Sequence, residues 1–114
     1  MAKSEGELLP GTFDMLILKT LSLGPMHGWG VSERIERLSG GVFSIQQGAV
    51  YPALQRLLRR GWVTAGWQVT ENRRRARIYR LTATGRRRLG AETAWWDRAR
   101  LGVGRVLRAP IQER

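Results

Sequence analysis

The chain has 114 residues, the size of one domain, and no cysteine, which excludes disulfides and thiolate-bound metals. Its formal net charge of +11, from 20 Lys plus Arg against 9 Asp plus Glu, favours a polyanionic partner such as DNA, RNA or an anionic surface. The opening MAKSEGELLPG lacks the apolar stretch of a secretory signal, and the run Met15-Leu16-Ile17-Leu18 is far short of the roughly 20 residues of a membrane span, so a cytoplasmic protein with no membrane partner is expected.

Residues 1–11 read as an N-terminal arm ending in Pro10-Gly11. Thr12 suits an N-cap, with Asp14 favourably placed at the positive helix start. Phe13, Leu16, Ile17, Thr20 and Leu21 recur at spacings of three and four, which predicts a first helix to about Leu23, stopped by Gly24-Pro25. His27-Gly28 opens a second helix with an apolar stripe of Val31, Ile35 and Leu38, ended by Gly40-Gly41. Val42 to Ile45 reads as a brief extended piece. Pro52 is tolerated in a first helical turn, which sets the start of a third helix near Gln47 or Gly48, and Arg60-Gly61 ends it.

From Trp62 to Val69, alternation places Val63, Ala65, Trp67 and Val69 on one side of a half-buried strand. Thr70 to Arg75 is polar and suits a hairpin tip. Ala76 to Leu81 returns as a second strand with apolar residues on both faces, so its buried side is not readable. Thr82 suits the cap of a last helix, Ala83 to Leu107, on which Leu89, Trp96 and Val103 recur every seven residues, with Ala99 and Val106 beside them. Residues 108–114, with Pro110, form an expected frayed tail. The fold expected is mainly α with a small β hairpin: a winged helix-turn-helix over residues 12–82 followed by a C-terminal dimerisation helix over 83–107.

On the third helix Val50, Leu54, Leu57 and Leu58 make the core stripe. The helical rotation of 100° per residue puts Ala49, Pro52, Arg56 and Arg59 on the far side, with Gln55 and Tyr51 at the boundaries. Gln46, Gln47 and Gln55 suit adenine edges, Arg56 a guanine or a phosphate, and Tyr51 a phosphate. The same pattern also fits an ordinary amphipathic helix with a solvated basic face. The hairpin is more specific: Asn72, Arg73, Arg74, Arg75 and Arg77 concentrate positive charge on a protrusion that suits a backbone or a narrow minor groove. Eight arginines lie between Arg73 and Arg88 with no acidic residue among them. Arg86, Arg87 and Arg88 add charge where the helix dipole is already positive, which suggests a partner supplying negative charge.

On the last helix Leu89, Trp96, Ala99, Val103 and Val106 are candidate dimerisation residues, with packing back onto the first helix as the alternative. Trp95 and Trp96 either form a flat aromatic surface for a ligand or belong to the core. No catalytic set, carboxylate pair or metal-ligand spacing is present, and the lone His27 reads as a local structural residue, so neither an enzyme nor a cofactor is expected.

Leu9-Pro10-Gly11-Thr12, Ile17-Leu18, Met26-His27-Gly28-Trp29-Gly30, Gly48-Ala49-Val50-Tyr51-Pro52-Ala53-Leu54, Arg56-Leu57, Gly61-Trp62 and Tyr79-Arg80-Leu81-Thr82 with Gly85 together resemble the PadR family of bacterial transcriptional regulators, in its short form with a single C-terminal helix. The resemblance covers residues 8–107. It implies a homodimeric winged-helix protein that binds operator DNA, usually as a repressor, and is often relieved by a small molecule. It further implies that Tyr51 and its exposed neighbours meet double-stranded DNA, that Asn72 to Arg77 form the wing, and that Trp95 or Trp96 is a candidate contact for a small aromatic effector. The operator expected is pseudo-palindromic, with half-sites roughly 10 bp or a multiple apart. Two other classes fit the composition: a non-specific nucleic-acid or anionic-surface binder, and a winged-helix protein-interaction module.

Overall fold

Helix α1, Thr12–Ser22, buries Met15, Ile17, Leu18, Thr20 and Leu21, and the computed structural model as a whole describes residues 11–112. Thr12 is not its cap. Gly11 holds the N-cap position with φ 86° and ψ −22°, a left-handed conformation open to glycine at no steric cost, and no side chain caps the helix. The buried Thr20 hydroxyl donates back to the Leu16 carbonyl at 2.7 Å, so its burial leaves no polar group unsatisfied. Apart from Gly11, the expected N-terminal arm lies outside the described residues, as do the last two residues of the expected tail.

A two-residue strand, β1 (Met26–His27), precedes α2 (Gly28–Leu38). His27 caps α2: its Nδ1 accepts the Gly30 N–H at 3.0 Å, satisfying one of the free donors of the first turn. The extended piece expected over Val42 to Ile45 reduces to an isolated bridge at Phe43, with Ile45 turned into the core.

Helix α3, Gln47–Arg59, starts where the sequence places it, but Pro52 lies in its interior and not in its first turn. The proline has no N–H to give to the Gly48 carbonyl one turn back. Gly48 is exposed, so water can serve that carbonyl.

Strands β2 (Val63–Val69) and β3 (Arg75–Leu81) pair antiparallel from Val63↔Leu81 to Val69↔Arg75. β1 adds to the other edge of β3 through Met26↔Tyr79 and His27↔Ile78, which gives a three-stranded sheet of order β1-β3-β2. Tyr79, 2% exposed, settles which face of β3 is buried. Burial pushes its phenol above the ordinary tyrosine range, partly opposed by the Arg77 guanidinium, so it remains a neutral core group. The expected half-buried face of β2 holds only at its base: Val63 is buried and Ala65 half-buried, whereas Trp67 and Val69 are exposed. The hairpin runs on beyond the helices that cover its base.

Thr82 caps α4 (Ala83–Leu107), accepting the Gly85 N–H at 2.9 Å and donating to the Gly61 carbonyl at 2.7 Å. Only Gly85 of this helix is buried. Packed against α1 at one end and projecting at the other, α4 helps stretch the molecule to 70 × 31 × 20 Å. The radius of gyration is 16.8 Å, against about 13 Å for a compact chain of this length.

Candidate nucleic-acid interface

Helices α2 and α3 pack against each other, and α3 also packs against β2 of the hairpin. Gln46 is the N-cap residue of α3; its side chain makes no capping bond and is exposed. Gln55 and Arg59 are exposed on the same helix. The partly exposed ring of Tyr51 lies over Gly28: a Cβ at that glycine would sit 2.7 Å from Tyr51 Cε1. The start of α2 is therefore the seat of this tyrosine.

Three residues of the expected recognition-helix set make contacts within the chain. Gln47 turns towards α2, donating through Nε2 to Ser32 Oγ and, at 3.4 Å, to the Trp29 carbonyl, while its Oε1 is buried without a partner among the described residues. That amide bridges the two helices and is engaged within the chain. Ala49 is half-buried and packs on the core. Arg56 donates through Nη2 to Asp14 Oδ1 at 2.7 Å, tying α3 to α1. Sequence reasoning gave Asp14 to the dipole of its own helix, and no local signal links positions 42 residues apart.

The hairpin tip is a tight turn closed by Arg73 N–H to the Thr70 carbonyl at 2.9 Å and Thr70 N–H to the Arg74 carbonyl at 2.8 Å. Arg73 holds a left-handed conformation, φ 57°, where glycine or asparagine is the usual occupant. Asn72, Arg73, Arg74, Arg75 and Arg77 are all exposed. The register puts Arg75 and Arg77 on the face shared with the buried Tyr79, which is the side on which α3 lies, and Arg80 on the opposite face. Arg75 lies over the Trp67 ring with its guanidinium carbon 4.7 Å from the centroid, a contact the sequence reading missed because Trp67 was assigned to a buried face.

The arginines at the start of α4 are partly engaged within the chain. Arg88 pairs with Glu92 and lies 4.8 Å over the Trp62 ring, and Arg87 donates to Thr84 Oγ1 at 3.2 Å. They are weaker support for an outside anion than their charge alone suggests. On the rest of α4, Leu89 joins the chain's own core and Ala99 is half-buried, while Trp96, Val103 and Val106 are exposed. Trp95 and Trp96 line a shallow cleft with Gly11, Thr12, Met15, Glu92 and Ala99. Among the described residues no helix is long and apolar enough to cross a membrane.

This arrangement of helix pair, hairpin and long terminal helix recurs in known proteins. The family model described as the transcriptional regulator PadR-like family matches residues 17–91. The chain belongs to this family.

Among solved structures, a PadR family transcriptional regulator from Eggerthella lenta is 28% identical, with a TM-score of 0.75 over 88% of this chain and 85% of that one. A transcriptional regulator from Clostridium thermocellum shares the fold at a TM-score of 0.76 and 23% identity, covering 83% of this chain and 89% of that one. Bacillus subtilis PadR, solved in complex with operator DNA, matches at a TM-score of 0.65 and 22% identity, over 91% of this chain but only 52% of that one. No curated protein sequence matches. The PadR-like fold is thus a winged helix with a C-terminal helix: α2 and α3 are the helix-turn-helix pair and β2–β3 the wing.

Proposed function

We propose that this PadR-like regulator binds operator DNA as a homodimer, acting as a repressor, with the start of α3 in the major groove and the wing on the adjacent minor groove or backbone. The observation that carries this reading is the wing. Four exposed arginines, Arg73, Arg74, Arg75 and Arg77, project beside α3, and Glu71 is the lone acidic residue of the hairpin. Arg73 occupies a backbone conformation that costs a non-glycine residue about 1 kcal/mol or more, a cost that the fold itself does not require of an arginine. That a relative was solved on operator DNA supports the same partner. Gln46, Tyr51, Gln55 and Arg59 are the α3 side chains proposed to reach DNA. Gln47, Ala49 and Arg56 instead hold the helix in place. Trp95 and Trp96, beside their cleft, are the proposed contact for a small aromatic effector.

The test is fluorescence anisotropy on a labelled duplex from upstream of the protein's own gene, across a salt series and with excess unrelated duplex. Nanomolar binding that survives competitor is the expected result. Arg74→Ala should weaken binding to every sequence and flatten the salt slope by about 0.9, one phosphate contact's worth. A slope that does not change removes the wing from the interface. Binding lost to competitor means a general polyanion grip, and no binding at low salt means a protein-interaction role.

A further inference from the structure

Trp67 is 61% exposed near the outer end of the wing, with the exposed Val69 next to it on the same face. Neither residue contributes to the core, so the fold does not account for a tryptophan here. The register does show what the ring meets. Trp67 stands opposite Arg77, Val69 opposite Arg75, and the Arg75 side chain reaches diagonally across to lie over the indole at 4.7 Å. A similar contact, Arg77 over Tyr79 at 5.9 Å, differs in kind because Tyr79 is buried and needed by the core.

Stacking occupies the flat face of a guanidinium and leaves its N–H edge unused. Among the described residues no carboxylate pairs with Arg75. Its donors therefore lie beside the indole, on the α3 side of the wing, with no hydrogen-bond acceptor among the described residues. A free arginine loses substantial rotamer freedom when it grips a phosphate; one already laid on a ring loses less.

We propose that Trp67 is a positioning residue of the wing, holding Arg75 across its ring so that the guanidinium edge is presented to a backbone phosphate of duplex DNA. The inference rests on the DNA-binding reading above and adds to it a residue outside the basic cluster. Its occupant is DNA and not a second copy, because the face that carries Trp67 also carries Arg75 and Arg77 in a chain of net charge +11.

The test measures affinity and salt slope on a fluorescein-labelled mixed-sequence duplex for wild type, Trp67→Ala, Trp67→Leu, Trp67→Tyr, Arg75→Ala and the Trp67→Ala/Arg75→Ala double variant. Trp67→Ala and Trp67→Leu should each weaken binding about threefold to tenfold and flatten the slope part of the way towards that of Arg75→Ala. Trp67→Tyr, which keeps an aromatic face, should retain most of the affinity. The double variant should bind no worse than Arg75→Ala alone, since Trp67 acts through that arginine. Because Trp67 is outside the core, thermal melting should be the same for all six proteins. The inference is overturned if Trp67→Ala binds like wild type, if its loss adds to that of Arg75→Ala, or if it dissociates a dimer in sedimentation. Wild type that ignores the duplex at low salt sinks the DNA-binding reading itself. Wild type that binds while Trp67→Ala matches it sinks only the role of Trp67.

Discussion

Gly85 is the tightest glycine among the described residues. A Cβ there would lie 2.0 Å from the Trp62 carbonyl oxygen and 2.7 Å from Leu81 Cδ1. The oxygen cannot swing aside, because it already accepts the Thr82 N–H at 3.1 Å at the junction of wing and α4. Gly85→Ala should therefore destabilise the protein by about 2–3 kcal/mol, as overpacking against backbone does, although alanine is the better helix former. Urea unfolding followed by circular dichroism measures this, and an unchanged midpoint would mean that α4 can shift outward at no cost. Gly28 differs: what its Cβ would meet at 2.7 Å is the ring of Tyr51, a side chain able to turn, so that glycine governs where a proposed DNA contact points more than whether the chain folds.

Between elements, the ion pair of Arg56 with Asp14 joins α3 to α1 at 2.7 Å. It is partly exposed, so its net contribution to stability is at most about 1 kcal/mol. Its larger effect falls on availability, since an arginine bound to a carboxylate is not free to bind a phosphate. Asp14→Asn should leave the melting temperature nearly unchanged while steepening the salt slope of duplex binding by up to about 0.9, as Arg56 becomes free to add a contact. A slope equal to wild type would show that Arg56 points away from DNA in either case. The elements themselves were largely legible: stripes at spacings of three and four mark α1, α2 and α3, Thr82 marks the start of α4, and a polar, arginine-rich stretch between two alternating segments marks the wing. What was not legible depends on tertiary contact. β1 is two residues long and carries no alternation, so only its pairing with Tyr79 and Ile78 reveals it. The alternation of β2 is real, but it cannot show that the strand outruns its covering helices, so Trp67 and Val69 read as buried. In the same way helical rotation places Arg56 towards solvent, and only the position of Asp14 shows that it is engaged, as that of Ser32 does for Gln47.

At the scale of the whole molecule, α4 projects beyond the helices and sheet it follows. Its 25 residues span about 38 Å, and α1 covers only part of that length. Beyond Ala99 the seam continues with Val103, 57% exposed, and Val106, 75% exposed, while Trp96 before it is 37% exposed. Full burial of a valine is worth roughly 1.5–3 kcal/mol, so a few such residues per chain, doubled by two-fold symmetry, give an association on the scale of a stable dimer once its entropy cost is met. Gly102 and Gly104 lie inside this stretch and weaken an isolated helix by about 1 kcal/mol each, so a partner would add order to the projecting end. Val103→Glu with Val106→Glu would place four carboxylates in the proposed seam of a two-fold pair. Sedimentation velocity at micromolar concentration should then change from dimer to monomer, with the melting of the winged-helix part little altered because neither residue touches its core. On a palindromic duplex the variant should lose more than tenfold in affinity, while on a single half-site it should bind about as well as wild type, because only the linkage of two wings and two α3 helices has been removed. Equal losses on both duplexes would place α4 in the folding of the monomer and not in its pairing. A wild-type protein that sediments as a monomer would show that the seam is covered by something other than a second copy.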